Sequence, residues 1–452
     1  WYESMKFRKQ NDEKSTQSSM WVSLSPNHIP ITRDSMDIIG MGRINCIAFH
    51  PTDTNILFVG ASQGGVWKSV DGGNSWMNLT DNLPLIRISH IAVHPQNPDI
   101  MYIATGDIDD IAFNPASQGR PYCWGVGIMK TTNGGASWDT TGLSFELAAN
   151  HNSLLRKIII NPSNPNQIIA GGYSGVWRSN DAGLTWEKKS NICVIDMDEN
   201  PLNANVIYAC TFYKSTMPNS KRIYKTYDFG ENWEELNTGM PTGSKIARVE
   251  LALSKADTSY IYAISCKQDG GMEGIYKSTN AGTSWTKLNT STNSSSVPNV
   301  LGWADGGKLS NFGVPKMDTL GQGWYDLTLV VDPLNRDKVL AGGVNMWGSV
   351  NGGSAWNIVA LWVGYFGKSI HADQHYSVYH PITNALYQSN DGGLYKSYNV
   401  QLGSLEQIAL PPPLGLGCVN ITNMTYIPGC YELPTKWRSE EHTSELQSLA
   451  YL

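Results

Sequence analysis

The chain has 452 residues, 41% hydrophobic and only 16% charged, which excludes an intrinsically disordered protein. A net charge of −6 leaves no basic footprint for nucleic acid, and no apolar run is long enough to span a bilayer as a helix. The 44 glycines, 16 tryptophans and 21 tyrosines point instead to short strands, tight turns and aromatic packing between sheets.

The chain opens at Trp1 with neither an initiator methionine nor a leader pattern, so residues 1–19 read as a lead-in and the N-terminal end as shortened. Residues 20–430 read as one repeat domain. Its first complete repeat runs from Ile44 to Leu79. Strand INCIAFH meets the turn PTDTN, and strand ILFVGAS follows. Gln63-Gly64-Gly65 then turns the chain into VWKSV, and a Gly-rich hairpin turns it into SWMNL.

That hairpin carries the pattern S/T-x-D/N-x-G-x-x-W, which recurs along the chain. It occurs at Ser69–Trp76, Thr131–Trp138, Ser179–Trp186, Thr226–Trp233, Ser278–Trp285 and Ser349–Trp356. The starts lie 62, 48, 47, 52 and 71 residues apart, and a degenerate copy is centred on Ser397, 48 residues later. Intervals of roughly 40–50 residues suit four-stranded propeller blades, and the longer ones imply loop insertions. The expected fold is all-β, a propeller of about seven four-stranded blades, with a larger, incomplete ring as the alternative.

In each hairpin a carboxylate or amide is placed to accept backbone N–H groups within the turn. These residues are Asp71, Asn133, Asp181, Asp228, Asn280 and Asn351, and all six are assigned a structural role. Short turns at His50-Pro51, His94-Pro95, Asn161-Pro162, Asn200-Pro201, Asp332-Pro333 and His380-Pro381 keep the same rhythm. Of the seven cysteines, Cys46, Cys193, Cys210 and Cys266 sit in apolar strand-like runs as small hydrophobes. Residues 431–452 read as a non-native or disordered tail, because 438–448 (RSEEHTSELQS) resembles translated sequencing adapter.

The hairpins resemble those of Asp-box (bacterial neuraminidase) repeat proteins. With the string GRINCIAFHP…ILFVGASQGGVWKSVDGGNSW, the chain resembles sortilin N-terminal-type propellers of large secreted bacterial proteins and, more distantly, xyloglucan-degrading glycosidase propellers. The resemblance covers roughly Met20 to Asn399 and includes GWYDL (Gly323–Leu327), HADQH (His371–His375) and NDGG (Asn390–Gly393). It implies an extracellular or cell-surface protein. One departure matters: xyloglucan-degrading relatives carry T-D-x-G-G in the first blade with a catalytic Asp, and here Ser62 stands at that place.

Consecutive antiparallel strands put turns on alternate rims, so the Pro turns and Asp boxes share one rim. Loops between second and third strands, and connectors between blades, share the other, where function is expected. Three constellations fall there. Asp107, Asp109 and Asp110, in an insertion that also holds Trp124, suit calcium, or else form a solvated acidic loop. His371, Asp373 and His375 alternate as on a strand and read as a metal or acid–base group, or as channel lining. Trp303 with Asp305, Trp324 and Tyr325 with Asp326, and Trp362 with Tyr365, joined by Asn390 and Asp391, suit a sugar ring, or else pack blades.

The sequence-based expectation for function is a non-catalytic binding module for a glycan or protein ligand, without nucleic acid or a membrane span. The alternative is a glycoside hydrolase using a carboxylate pair drawn from Asp107, Asp326, Asp373 and Asp391.

Overall fold

The computed structural model of the chain describes residues 22–24, 42–83, 87–108, 124–146, 151–211, 223–241, 246–288, 299–302, 321–360 and 370–397. These form seven four-stranded antiparallel sheets arranged as a β-propeller. Blade one is β2 (Ile44–Phe49), β3 (Leu57–Ala61), β4 (Gly65–Ser69) and β5 (Met77–Asn78), in that order from the centre outward. Each later blade repeats this order, down to blade six, which starts at β22 (Thr328–Asp332).

Blade seven is assembled from both ends of the described chain. Its inner strands are β26 (Gln374–Tyr379), β27 (Leu386–Asn390) and β28 (Gly393–Ser397), and its outermost strand is β1 (Val22–Ser23), paired with β28. A buried cluster of Leu24, Ile44, Leu57, Ala385, Tyr387 and Leu394 joins blade seven to blade one, so the ring closes at seven blades and the larger open ring is corrected.

Closure follows from how each Asp box grips the preceding blade. Trp138 Nε1 donates to Leu79 O at 3.1 Å, and a Cβ on Gly135 would lie 2.6 Å from Leu79 Cδ1. Leu79 directly follows the outer strand of blade one. In blade one the same contacts fall on Leu24: Trp76 Nε1 donates to its carbonyl at 2.9 Å, and Gly73 (φ +100) sits against its side chain. Leu24 thus occupies the place of an outer-strand leucine, and β1 supplies the fourth strand of blade seven. Trp21-Val22-Ser23-Leu24 repeats the W-x-x-L of Trp76–Leu79, Trp233–Leu236 and Trp285–Leu288. The degenerate copy at Ser397 therefore has its second half at the N-terminal end.

Within a box, Ser69 Oγ donates to Asp71 Oδ1 at 2.8 Å, and Asp71 accepts from Ser75 N at 2.9 Å and Ser75 Oγ at 2.5 Å. The Ser75 bonds, with Ser69, hold the exposed Asp71 carboxyl down at about 2. Asn133 makes the same turn with one bond reversed, its Nδ2 donating to Ser137 Oγ at 2.9 Å. In each of blades one to six the box is bonded to the turn between first and second strands, as by Gly72 N to Asn55 O and Phe229 N to Asn205 O, both 2.9 Å; that turn carries a proline in all but blade five. The two motifs therefore share one rim, as the strand order requires. The residue before each proline caps its turn as well: His50 Nδ1 accepts Asp53 N at 2.9 Å, and Asp332 Oδ1 accepts Leu334 N at 2.8 Å.

Second strands add a stitch between blades. Tyr102 donates to Ala182 O and Tyr208 to Ala281 O, each at 2.9 Å, in the Asp box of the following blade. Lys130 and Lys225 cover those rings at 5.2 and 5.0 Å from the centroids. Cys46, Cys193, Cys210 and Cys266 are buried. Burial pushes the Cys46 thiol up to about 12, consistent with a core hydrophobe rather than a nucleophile.

Candidate functional site at the mouth of the ring

Inner strands run from the mouth rim toward the Asp-box rim, so residues just before them converge on the ring axis. Most inner strands also carry a register irregularity near that end, as at Ile44/Cys46, Ile88/His90 and Gln374/Tyr376. Such bulges re-aim neighbouring side chains.

This breaks the strand alternation expected for His371, Asp373 and His375. Only His375 lies on β26; Asp373 precedes it with a left-handed φ of +64. The three side chains diverge. Asp373 Oδ1 accepts from Gln322 Nε2 at 2.5 Å, His375 Nε2 meets Asp391 Oδ1 at 2.7 Å, and His371 Nδ1 lies 3.2 Å from Ala372 O. No group of three His, Cys, Asp or Glu residues in metal-holding geometry occurs among the described residues.

The convergence runs between blades six and seven instead. Gln322 Nε2 also donates to Asp326 Oδ2 at 3.1 Å, and the Asp326 and Asp373 carboxyls are hydrogen-bonded to each other. Two carboxyls can bond in this way only if one keeps a proton. Burial drives Asp326 well above the ordinary carboxyl range; hydrogen bonds from Gln322 and Asp373 oppose it, and the nearby Asp391 charge adds to it. Asp326 is fully buried and Asp373 is 9% exposed, so Asp373 is the outer member of the pair.

Asp391 sits on the turn between β27 and β28, with its side chain 20% exposed. Burial pushes its carboxyl up, yet the His375 hydrogen bond and the positive potential of His375, Arg43 and His371 outweigh this and hold it below the ordinary aspartate value. The Tyr325 hydroxyl donates to both Asp391 oxygens at 3.2 Å. Asn390, by contrast, is a framework residue: it is fully buried, and its Oδ1 accepts Gly392 N at 3.0 Å. A Cβ on Gly392 would lie 2.4–2.5 Å from the His371 ring, so the turn needs glycine there to seat that imidazole.

Asp107 faces arginine. Its Oδ2 is ion-paired with Arg43 and lies 3.7 Å from Arg87 Nη1, all three groups being buried. Asp109 and Asp110 lie outside the described residues, as do Trp303, Asp305, Trp362 and Tyr365. Trp124 is fully buried, 5.0 Å edge-to-face from the His151 ring, and Trp324 packs against the core between blades five and six. Arg43, Arg87 and Gln322 were not singled out from sequence. The available signal was an arginine immediately before the inner strand in GRINC and again in IRISH.

Further down the inner strands, a 140 Å³ cavity is lined by Lys157, Asp196, Asp198, Glu250, Tyr376 and Ser377 among others. Burial raises Glu250 to about 8 and Asp198 to about 6, in each case with the Asp196 charge adding to the effect.

The fold and these motifs are matched among known proteins. The family model of sortilin (neurotensin receptor 3) matches residues 174–303. A xyloglucanase of Acetivibrio thermocellus (Xgh74A) is 24% identical over 370 residues, which cover 74% of this chain and 40% of that protein. The chain is a sortilin-like and xyloglucanase-like Asp-box propeller. A Hypocrea jecorina xyloglucanase is 22% identical across 91% of the chain and 49% of its own length. The crystal structure of the GH74 xyloglucanase from Xanthomonas campestris superposes with a TM-score of 0.56 at 16% identity, over 85% of this propeller and 54% of that chain. The propeller thus spans half or less of the length of these curated relatives. Their activity overturns the expectation of a non-catalytic binding module in favour of the glycoside-hydrolase alternative.

Proposed function

We propose that the chain is the propeller of an extracellular glycoside hydrolase acting on xyloglucan, with its chemistry at the mouth between blades six and seven. The observation that carries this reading is a fully buried aspartate, Asp326, pushed well above the ordinary carboxyl range and bridged through Gln322 to Asp373, beside an aspartate, Asp391, held below it by His375. On this reading Asp391 is the ionised carboxyl, and Asp326 and Asp373 are a pair that shares a proton. Glycosidic cleavage needs that division: one carboxyl protonates the leaving oxygen while a carboxylate attacks the anomeric carbon or activates water. Asp391 takes the anionic role, and the Asp326–Asp373 pair supplies the proton through its outer member.

Relatives whose names state xyloglucanase activity support the substrate class. Ser62, buried and with its N–H bonded to Arg43 O at 3.0 Å, leaves no carboxylate at the first-blade position of those enzymes. This is why the proposal places the chemistry in blades six and seven. Incubation of the purified protein with xyloglucan, followed by reducing-end release, tests the reading. Turnover that disappears in Asp391→Asn with the melting temperature unchanged supports it; no release by the wild-type protein, or full release by Asp391→Asn, contradicts it.

A further inference from the structure

A carboxylate that must stay charged at a partly buried mouth needs donors, and donors that come from one flexible loop fix neither its orientation nor its charge. Asp391 is held from two separate blades. His375, 2% exposed on β26 of blade seven, reaches Oδ1 at 2.7 Å. An ionised carboxylate only accepts, so Nε2 carries the proton in this bond. Tyr325, in the connector leading to β22 of blade six, spans both oxygens with its hydroxyl at 3.2 Å.

The two donor rings brace each other edge-to-face, with centroids 4.8 Å apart and planes at 82°. Tyr325 is braced again from blade one, where the Arg43 guanidinium lies 5.3 Å from its ring centroid while paired with Asp107. Each donor is thus immobilised by a group that is itself engaged, the arrangement that locks a reactive side chain within a narrow range of orientation.

Resting on the hydrolase reading, we propose that His375 and Tyr325 are positioning residues that clamp Asp391 across the seam between blades six and seven and keep it ionised for reaction. Neither exchanges a proton with substrate; both act through the carboxylate. Loss of the clamp leaves Asp391 partly buried with its charge uncompensated, and it then takes up a proton at higher pH.

The test combines a titration that needs no substrate with kinetics on xyloglucan. In protein carrying carboxyl-labelled aspartate, with Asp391 assigned by comparison with Asp391→Asn, the midpoint of Asp391 is followed by carbon NMR. The variants are His375→Leu, His375→Gln and Tyr325→Phe. Glutamine places an amide N–H near the position of the imidazole Nε2, so it restores the donor without the ring. The expected result is a midpoint raised to or above the ordinary value of about 3.9 in His375→Leu and brought back down in His375→Gln. In parallel, kcat on xyloglucan falls on the order of 10²-fold in His375→Leu, with KM nearly unchanged and the acid limb of its pH profile displaced upward. His375→Gln recovers most of the loss, and Tyr325→Phe loses about tenfold, less than the ~10²-fold of a group that itself transfers a proton.

An Asp391 midpoint unmoved in His375→Leu overturns the proposal, as does a midpoint that moves while kcat does not. Should the wild-type protein release no sugar, the hydrolase reading fails by itself; a raised midpoint reversed by glutamine then still supports the clamp, and an unmoved one refutes it.

Discussion

The Asp-box rim repeats one hydrogen-bond pattern with interchangeable residues, whereas the mouth rim brings together side chains that occur once each. At the first rim, aspartate serves in blades one, three and four and asparagine in blades two, five and six, with the backbone N–H accepted at 2.8–2.9 Å throughout. At the second, Asp391 is held below the ordinary carboxyl range while the neighbouring Asp326, hydrogen-bonded to Asp373, is pushed well above it. Repetition marks the scaffold; departure from repetition marks the site. The same chemical change, a carboxylate to its amide, should therefore have opposite consequences on the two rims.

The largest effect is expected at the mouth. Asp391→Asn should lower xyloglucan turnover by about 10²–10⁴-fold without loss of fold, as read by reducing-end release beside a melting curve. Next comes the grip of a box on the preceding blade. Gly135→Ala places a Cβ 2.6 Å from Leu79 Cδ1 at a residue with φ of +94, and denaturant unfolding should report a loss of about 2 kcal/mol.

The cavity lower on the inner strands gives an effect that depends on pH. The folded state raises Glu250 from 4.5 to about 8, so it binds that proton more tightly than the unfolded chain does. The corresponding stability is fully present below pH 4.5 and is lost as pH rises through about 8. Glu250→Gln, which keeps an acceptor near Arg248, should make stability decline less steeply over this window in chemical denaturation at stepped pH. An identical slope for both proteins would remove Glu250 from the account. The smallest effect returns to the box rim: Asp181→Asn should change stability by less than about 0.5 kcal/mol, because Asn133, Asn280 and Asn351 already make that turn. A large loss there would break the comparison between rims.

The scaffold was readable from sequence because each box supplies its own local physics: an acceptor, a glycine and a tryptophan at fixed spacing. The closing strand was missed, since the two halves of the seventh repeat's hairpin lie near residues 22 and 397 and only W-x-x-L at Trp21–Leu24 ties them together. At the mouth, Tyr325, Asp326, Asp373, His375 and Asp391 were all named as candidates, but not which of them pair, and Gln322, Arg43 and Arg87 were not singled out. A strand period of two placed His371, Asp373 and His375 on one face, and the bulge near Gln374 with the left-handed Asp373 separated them. Asp107, picked out as a calcium ligand, is occupied by Arg43 from another blade, a pairing 64 residues apart that no local pattern announces. Which carboxyl keeps its proton depends on burial and on neighbours from three blades, so it is a property of the assembled ring.

The division of protons at the mouth is tested most directly by neutron diffraction from crystals exchanged into heavy water near pH 7. A deuteron between the Asp326 and Asp373 carboxyls, with none on Asp391 and one on His375 Nε2, is the expected map. A deuteron on Asp391, or a bare Asp326–Asp373 pair, would contradict the account.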